Sequence, residues 1–342
     1  MRILYIGNGQ GFDGAVKYYF TPQKLINGLT RLGHNVVSIN DRDIARYSNI
    51  FRSQKFGIKA MNHKILDMFK IYNPHLVMLG HCKNVSNDTL AAMREINPDI
   101  KITYRNVDPL HSTQNSADIM QRVGHVDSLF ITTAGDSLAR FSHPKTIVTF
   151  MPNPVDPALE TERAYDNSEA DIDFLFLASA LRDQHDHRAI TARYLVDHQG
   201  EMKFHIGGAG INNDLVFGSA YYALLGRAKM GLCMNKIESY YLYASGRMSQ
   251  YMGSGVLAFI PEGPQFEDIL GTDSFISFKT NDELVDKIKY YAAHESERKE
   301  IARTGCLKIH DYFHVDKVCQ YILERTFQQP LSMAYQWPTK TY

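Results

Sequence analysis

Residues 2–6 (RILYI), followed at once by the glycine-containing loop of residues 7–14 (GNGQGFDG), decide the fold class that we expect for this chain. A short apolar run that enters a glycine loop is typical of a buried parallel strand leading into a helix. Further apolar runs with helical segments between them occur at residues 36–40, 75–79, 100–104, 128–132 and 146–150. This alternation predicts an α/β domain with a doubly wound parallel sheet.

A break in composition separates this pattern from a second one. Residues 151–171 contain three prolines and several acidic residues, and strand-and-helix alternation then restarts at residues 172–177 (IDFLFL). We therefore predict two Rossmann-like domains that face a cleft, with the ligands at the carboxyl ends of the strands. The predicted boundaries are a first domain at residues 1–155, a linker at 156–172, a second domain at 173–315, and a helix and tail at 316–342 that can cross back to the first domain.

The bulk composition narrows the class of partners. The chain has 342 residues, which is long enough for two domains, and Lys+Arg and Asp+Glu balance at 37 each. Without an overall charge we expect no nucleic-acid partner, and phosphate binding must be made locally by arginines and backbone amides. The four cysteines have no metal-ligand spacing, and no apolar run reaches the length of a membrane span. We expect a cytoplasmic protein without a transmembrane segment, for which peripheral membrane contact stays open.

The first glycine loop has three interpretations. Gly9, Gly11 and Gly14 satisfy GxGxxG after a strand, which is the context of a dinucleotide site, and Asp41 after the second strand could accept ribose hydroxyls. This keeps an NAD- or FAD-dependent oxidoreductase as an alternative. Against it, Asp41 lies later than the usual spacing and Pro22 interrupts the following helix. The loop could also face the cleft without a dinucleotide, or simply form a turn.

Two stretches of the second half could bind a nucleotide through a strand end. Ser179, Arg182 and Arg188 follow the strand of residues 174–178, where arginine can hold a diphosphate with two hydrogen bonds. The alternative is that both arginines are solvated on a helix. Gly208 follows the apolar run at residues 202–206, where a glycine allows close approach of a ligand or makes a turn.

The most informative stretch begins at a polar, tyrosine-rich loop. The amides around Ser245, Gly246 and Arg247 lie at a predicted helix start and can bind an anion, to which the Arg247 side chain adds charge. Gln250 lies one turn further and could bind ribose hydroxyls. Tyr241 could stack on a base, although an aromatic residue at such a position more often packs in the core.

Several motifs resemble the CgeB-like (spore maturation protein) glycosyltransferases, which are related to glycosyltransferase family 4. The matching stretches are YALLGRAKMGL (222–232), SGRMSQYMGSG (245–255), DELVDKI (282–288) and ERKEIARTG (297–305). The resemblance implies the GT-B fold, a nucleotide-sugar donor on the second domain and an acceptor on the first. The chain has Gln250 where the family has a ribose-binding glutamate, and Leu242 where family 4 has a second glutamate.

Candidate catalytic residues lie at the carboxyl ends of strands in the first half. They are Asp13, His81, Asp108 and His111, of the residue types that act as a base toward an acceptor hydroxyl. Each could instead be a cap or turn residue; Asp108 ranks first because the resemblance extends to residues 106–109. The chain has no DxD motif in a suitable place, so we expect no metal and no cofactor, with arginines and helix amides stabilising the leaving diphosphate.

These observations predict a metal-independent glycosyltransferase of the hexosyltransferase type. Its donor would be a nucleotide-diphosphate-sugar, and its acceptor a glycan, a lipid-linked molecule or a protein. The alternatives are the NAD- or FAD-dependent oxidoreductase and a non-catalytic nucleotide- or sugar-binding protein of the same fold.

Overall fold

The computed structural model describes residues 1–7, 18–178, 183, 185–208 and 216–342. The chain divides into two compact units: unit 1 comprises Met1–Pro154 with Val315–Tyr342, and unit 2 comprises Val155–His314. Within the described ranges, no helix is both long and apolar enough to cross a membrane.

Unit 1 is built on a six-stranded, all-parallel sheet in the order β2-β1-β3-β4-β5-β6. The strands are β1 (Arg2–Gly7), β2 (Asn35–Ile39), β3 (Leu76–Gly80), β4 (Lys101–Asn106), β5 (Ser128–Ile131) and β6 (Ile147–Phe150). Strands β3 and β5 are buried along their whole length, as expected for a parallel sheet covered on both faces. The predicted doubly wound parallel sheet is therefore confirmed for this unit.

The helices of unit 1 lie between successive strands, except for α12, which returns to this unit from the end of unit 2. They are α1 (Thr21–Arg31), α2 (Asp41–Tyr47), α3 (Gln54–Tyr72), α4 (Asn87–Ile96), α5 (Thr113–Met120) and the last helix of the chain, α12 (Val315–Thr326). In α1, Pro22 lies in the first turn, where its missing N–H costs nothing, and Gly33 follows the helix with a φ of 81°. Pro22 thus begins this helix, where the sequence had suggested a stop or a kink.

Unit 2 repeats the plan with a five-stranded parallel sheet in the order β11-β10-β9-β7-β8. Its strands are β7 (Ile172–Leu177), β8 (Phe204–Gly207), β9 (Ala228–Leu232), β10 (Leu257–Pro261) and β11 (Ile276–Phe278). Its helices are α6 (His187–His198), α7 (Ser219–Gly226), α8 (Gly246–Gly253), α9 (Glu267–Leu270), α10 (Asn281–Ala293) and α11 (Glu295–Tyr312).

The segment predicted as a linker packs within unit 2. Asp156 and Glu160 are fully buried, and Glu160 accepts a hydrogen bond of 2.6 Å from the hydroxyl of Tyr222 and one of 2.8 Å from the Asp156 amide. A carboxylate is stable in such a place only with hydrogen-bond donors around it. These contacts attach the segment to the body of unit 2.

The C-terminal helix and tail belong to unit 1. Helix α12 packs on α1 at Gly28, where an added Cβ would lie 2.8 Å from the Cys319 sulfur. The tail pairs with β6 at the edge of the sheet: the Tyr342 amide donates to the Val148 carbonyl at 2.9 Å and the Val148 amide donates back at 3.1 Å. The tail therefore covers one exposed edge of the unit 1 sheet.

Candidate functional site

Four of the predicted donor residues belong to helix α8 or its N-cap, at the carboxyl edge of the unit 2 sheet: Ser245, Gly246, Arg247 and Gln250. Tyr251 of α8 is fully buried, and its hydroxyl accepts a hydrogen bond of 3.2 Å from the amide of Leu177 at the end of β7. Gly231 of β9 leaves room for its ring, because an added Cβ would lie 2.7 Å from the Tyr251 Cδ2 atom. These contacts fix α8 against the adjacent strands β7 and β9.

The N-terminus of α8 is open. Ser245, the N-cap residue, has extended backbone angles (φ −67°, ψ 160°), and its side chain makes no capping hydrogen bond. Among the residues that the structure describes, nothing lies within 4 Å of the position that a Cβ on Gly246 would take. The first amides of a helix have no partner within the helix, so this terminus offers donors and a positive partial charge to an anion.

Arg247 adds a full positive charge at this place. Its Nη1 donates to the Met234 carbonyl at 2.9 Å, and the guanidinium lies 5.2 Å from the centre of the Phe176 ring. Met234 follows β9 and Phe176 belongs to β7, so the side chain lies where these two strands end. A guanidinium held in this way is pre-organised and retains donors for a phosphate.

Asn235 and Glu238, which the sequence analysis missed, hold the loop in front of α8. The Asn235 side-chain oxygen accepts from the Ser245 amide at 2.9 Å, and its Nδ2 donates to the Tyr243 carbonyl at 3.1 Å and to Glu238 Oε2 at 2.8 Å. The Asn235 amide donates to the other carboxylate oxygen of Glu238. Both residues lie in the loop that follows β9, and this position after a strand end is the signal that could have identified them.

The environment of Glu238 favours its neutral form. Burial raises the pKa of this carboxyl group, although the hydrogen bonds from Asn235 and the charges of Arg247 and Arg188 act in the opposite direction. Glu238 also lines a pocket of about 440 Å³ together with Met234, Pro261 and Phe278. A polar group therefore faces a largely apolar space beside the α8 terminus.

Other predicted donor residues have partners in the structure. The Gln250 Oε1 atom accepts from the Tyr221 hydroxyl at 2.7 Å, which leaves its amide nitrogen to donate. The Tyr241 hydroxyl is directed to Asp268 at 2.9 Å, and burial, followed by Asp268, raises its pKa to about 12. Gly208 directly follows the edge strand β8, which pairs with β7.

The Arg188 guanidinium is bound within the protein, whereas the sequence analysis had allowed it to hold a diphosphate. Its Nε and Nη2 atoms bind the Asp186 carboxylate at 3.0 and 2.7 Å, and Asp186 is the N-cap of α6. This hydrogen bond is the main cause of the lowered pKa of Asp186. The guanidinium is therefore engaged by the helix cap, because both side chains lie in the first turn of the same helix. Ser179 and Arg182 lie outside the described residues.

In unit 1, His81 and Asp108 lie together at the ends of the neighbouring strands β3 and β4. His81 Nε2 is 3.2 Å from Asp108 Oδ2, and the Asp108 amide donates to the Asn106 side chain at 3.1 Å. His81 has a φ of 53°, which is uncommon for a residue with a side chain and often marks a functional position. The two predicted residues thus form a pair.

The His81 ring is mostly neutral near pH 7. Burial lowers its pKa, and Asp108 opposes this effect only in part. When the neutral ring donates from Nε2 to Asp108, Nδ1 becomes the acceptor, and this buried atom has no hydrogen-bond partner in the described parts of the chain. The Asp108 side chain is 45% exposed and that of His81 is 18% exposed, so Asp108 is the more accessible member of the pair.

Arg105 is a second residue that the sequence analysis missed. It lies on β4, is 2% exposed, and its Nη2 donates to the Tyr5 hydroxyl at 3.1 Å. Gly80 leaves room for Tyr5, because an added Cβ would lie 2.0 Å from its hydroxyl oxygen. The charge of this buried guanidinium contributes to lowering the His81 pKa. An arginine inside an apolar strand pattern gives no sequence signal of this role.

The positions of the remaining predicted residues indicate less about a role in the site. His111 lies directly before Ser112, the N-cap of α5. Asp41 begins α2 and is buried, which raises its pKa. Asp13 and the glycines Gly9, Gly11 and Gly14 lie outside the described residues.

Comparisons with known proteins agree with this architecture. Residues 185–324 match a family model described as glycosyl transferase-like. No curated protein sequence matches the chain. Sucrose-phosphate synthase from Thermosynechococcus elongatus superimposes with a TM-score of 0.66 at 11% identity, over 96% of this chain and 98% of that one.

Two further solved structures contain UDP. HepE from Anabaena in complex with UDP and glucose has a TM-score of 0.61 at 12% identity, over 96% of this chain and 100% of that one. An alpha-glucosyltransferase in complex with UDP and a 13-mer DNA containing a HMU base has a TM-score of 0.64 at 10% identity. The match covers 96% of this chain and 99% of that one. At these identities the likeness establishes the fold. The chain therefore has the GT-B fold of two parallel-sheet α/β domains, and its residues 185–324 are glycosyl transferase-like in sequence.

Proposed function

We propose that the chain is a metal-independent glycosyltransferase that transfers a sugar from a nucleotide-diphosphate-sugar donor. The observation that carries the proposal is the open N-terminus of α8 beside the Arg247 guanidinium. It lies within the segment that matches the glycosyl transferase-like family. Helix amides and a guanidinium together stabilise a leaving diphosphate without a metal ion.

The donor would lie along the carboxyl edge of the unit 2 sheet. Its diphosphate would bind the amides of Gly246 and Arg247, and the free amide nitrogen of Gln250 would donate to a ribose oxygen. Two of the structural relatives are complexes with UDP, so UDP is the first nucleotide to test.

The acceptor would bind unit 1 at the His81–Asp108 pair. In this proposal the exposed Asp108 carboxylate takes the proton of the attacking hydroxyl. His81 orients that carboxylate through the 3.2 Å contact between His81 Nε2 and Asp108 Oδ2. The acceptor class would be a glycan, a lipid-linked molecule or a protein.

A nucleotide-binding protein without transferase activity is a second candidate. It is favoured by Gln250, whose carbonyl oxygen is already used by the Tyr221 hydroxyl. Slow hydrolysis of the donor in the absence of an acceptor separates the two, because only a transferase breaks the bond between sugar and phosphate.

Nucleotide binding to the full chain tests the donor site. UDP, GDP, dTDP, CMP and NAD are compared by thermal shift and calorimetry, and one of the nucleoside diphosphates should stabilise the protein. Arg247→Ala should weaken that binding by about ten- to a hundredfold, because a charge-assisted hydrogen bond is lost. Arg247→Lys should restore part of it, whereas Arg303→Ala, on an exposed arginine of α11, should leave it unchanged.

Two outcomes would contradict the proposal. One is stabilisation by NAD with no response to the nucleoside diphosphates, which would favour the oxidoreductase. The other is an Arg247→Ala protein that is folded and binds as well as the original. In a transfer or hydrolysis assay, Asp108→Asn should keep nucleotide binding and lose about a hundredfold or more in rate.

A further inference from the structure

The helix pair α2–α3 of unit 1 carries a group of exposed apolar side chains. Tyr47 is 52% exposed, Ile50 90%, Phe51 73% and Phe56 66%, and the rings of Phe51 and Phe56 are 5.9 Å apart. Exposed apolar residues are ordinary when they are scattered singly, but a cluster of four needs an explanation. We call these four residues the apolar tip.

Basic residues surround the apolar tip. Arg46, Arg52, Lys55 and Lys59 are all exposed, and the Arg52 guanidinium lies 5.9 Å from the centre of the Tyr47 ring. The stretch from residue 42 to residue 64 has one acidic residue, Asp43, and six basic ones: Arg42, Arg46, Arg52, Lys55, Lys59 and Lys64. In a chain with no net charge, this is a local concentration of positive charge.

The tip is held in a fixed shape. Asn49 donates from Nδ2 to the Ala45 and Ser53 carbonyls at 2.9 and 2.8 Å, and its oxygen accepts from the Ser53 amide at 3.2 Å. Gly57 of α3 lies directly on α2, because an added Cβ would be 1.7 Å from the Ala45 carbonyl oxygen. Exposure of the apolar side chains is therefore a property of the folded unit.

The tip also projects beyond the sheet. The C-terminal end of α3 is fixed to the start of β1, where Arg2 Nε donates to the Asn73 carbonyl at 2.8 Å. Asn62, in the middle of α3, is level with the carboxyl edge, because its side chain accepts from the Ser86 amide just before α4. At about 1.5 Å per residue, the part of α3 before Asn62 extends roughly 12 Å past that edge.

We propose that the apolar tip and its basic surround dock unit 1 on an anionic lipid surface. Apolar side chains that enter the headgroup region, flanked by Lys and Arg at the surface, are the arrangement by which proteins bind such membranes. A second copy of this chain fits less well, because two like-charged faces would repel each other. DNA would use the basic residues but gains nothing from Ile50, since an aliphatic side chain does not stack on bases.

The docking surface lies at the same edge of the sheet as the His81–Asp108 pair. A membrane bound at the tip would thus face the edge at which an acceptor is proposed to bind. The docking itself does not depend on the proposed transferase activity, and binding to vesicles without any nucleotide tests it separately.

Sedimentation with phosphatidylcholine vesicles that contain phosphatidylglycerol tests the proposal on the full chain. The original protein should bind these vesicles, bind pure phosphatidylcholine much less, and be released in part by high salt. Ile50→Ser with Phe51→Ser should weaken binding by about a hundredfold, because apolar burial is lost. Lys55→Gln with Lys59→Gln should weaken it by about thirtyfold and reduce its dependence on salt.

A control pair lies at the other end of the same helix. Ile71 is 86% exposed, and Lys70 is exposed beside it, so Ile71→Ser with Lys70→Gln changes the same residue types away from the tip. This variant should bind like the original, and all variants should melt at the same temperature because the changed side chains are exposed.

The proposal would be overturned if the original protein did not bind the anionic vesicles, or if the tip and control variants bound equally. It would also fail if the tip variants changed the oligomeric state in size-exclusion chromatography, which would indicate an interface between copies. Binding of duplex DNA that is lost with the charge variant but kept in the Ile50→Ser, Phe51→Ser protein would assign the surface to nucleic acid.

Discussion

Asn235 is the residue on which the shape of the donor loop depends. Its oxygen accepts one backbone amide and its nitrogen donates to a carbonyl and a carboxylate, so every polar atom of the side chain has a partner. Because one of these partners is the Ser245 amide, the side chain fixes the residue from which α8 begins. The open helix terminus is therefore held by a side chain that need not contact the ligand.

Asn235→Asp tests this arrangement by changing one atom. The new carboxylate oxygen would face Glu238 and the Tyr243 carbonyl with no proton between them, and we expect a loss of about 3 kcal/mol in the free energy of unfolding at pH 8. Burial already raises the pKa of Glu238, and a second carboxylate raises it further. The loss in the free energy of unfolding is present above the raised pKa of Glu238. It disappears as pH falls through that pKa, because a protonated Glu238 can donate to the new carboxylate.

Urea denaturation at pH 8 and pH 5 measures the effect. The difference between the Asn235→Asp and original proteins should be larger at pH 8. Asn97→Asp is the control, because the Asn97 side-chain oxygen accepts from the Asp99 amide, which an aspartate oxygen can do equally well. Equal destabilisation at both pH values would show that repulsion with Glu238 is not the cause.

The sequence could identify site residues only where a motif or a strand end indicated them. Arg247 and Gln250 belong to the quoted motif, and His81 and Asp108 follow predicted strands, so all four were predicted and their roles remain proposals. The pairing of Arg188 with Asp186 was not foreseen, because it depends on how the first turn of α6 is capped.

At the scale of elements, the contact between α2 and α3 depends on a single glycine. A Cβ at Gly57 would lie 1.7 Å from the Ala45 carbonyl oxygen and 2.9 Å from its Cα atom, both of which are backbone. Backbone atoms cannot move aside as a flexible side chain can, so any larger residue would push the two helices apart.

Gly57→Ala should therefore destabilise unit 1 although alanine is the better helix former. The intrinsic gain of about 1 kcal/mol should be exceeded by an overpacking cost of about 2–3 kcal/mol or more. Chemical denaturation followed by circular dichroism measures the net change. Gly246→Ala is the control for stability, since no described residue lies within 4 Å of its added Cβ. A Gly57→Ala protein that is as stable as the original would mean that overpacking costs no more than the gain in helix propensity.

Most elements could be predicted because their apolar patterns follow a single period. The expected strand at residues 172–177 coincides with β7, and the apolar run at residues 128–132 contains β5. Helices α2 and α3 were not delimited, because the exposed Ile50, Phe51 and Phe56 obscure an amphipathic pattern. Strand β11 has three residues, which is too short for a period to show.

At the scale of the whole molecule, half-buried histidines make stability depend on pH. Burial lowers the pKa of His81 in unit 1 and of His205 and His310 in unit 2 below the ordinary value of 6.5. In the range between the folded and unfolded pKa values, the unfolded chain binds more protons than the folded one. Stability should therefore be fully present above about pH 6.5 and should fall as pH decreases below it.

The carboxyl groups act in a different range. The pKa of Asp186 is lowered from 3.8, so the stability that it contributes is lost only in stronger acid. The pKa values of Asp41 and Glu238 are raised from 3.8 and 4.5, so their protonation stabilises the folded state as pH falls and partly opposes the histidines. We therefore attribute the decrease in stability just below pH 6.5 to protonation of the histidines.

Melting temperatures measured at steps between pH 8 and pH 5.5 should stay level at first and then fall. His310→Gln should reduce the slope, because His310 Nε2 lies 2.8 Å from the Gly253 carbonyl and a glutamine amide can donate to that oxygen without taking up a proton. His63→Gln, on an exposed histidine of α3, should leave the slope unchanged. A melting temperature that stays constant down to pH 5.5 would mean that the half-buried rings gain protons as readily in the folded protein as in the unfolded chain.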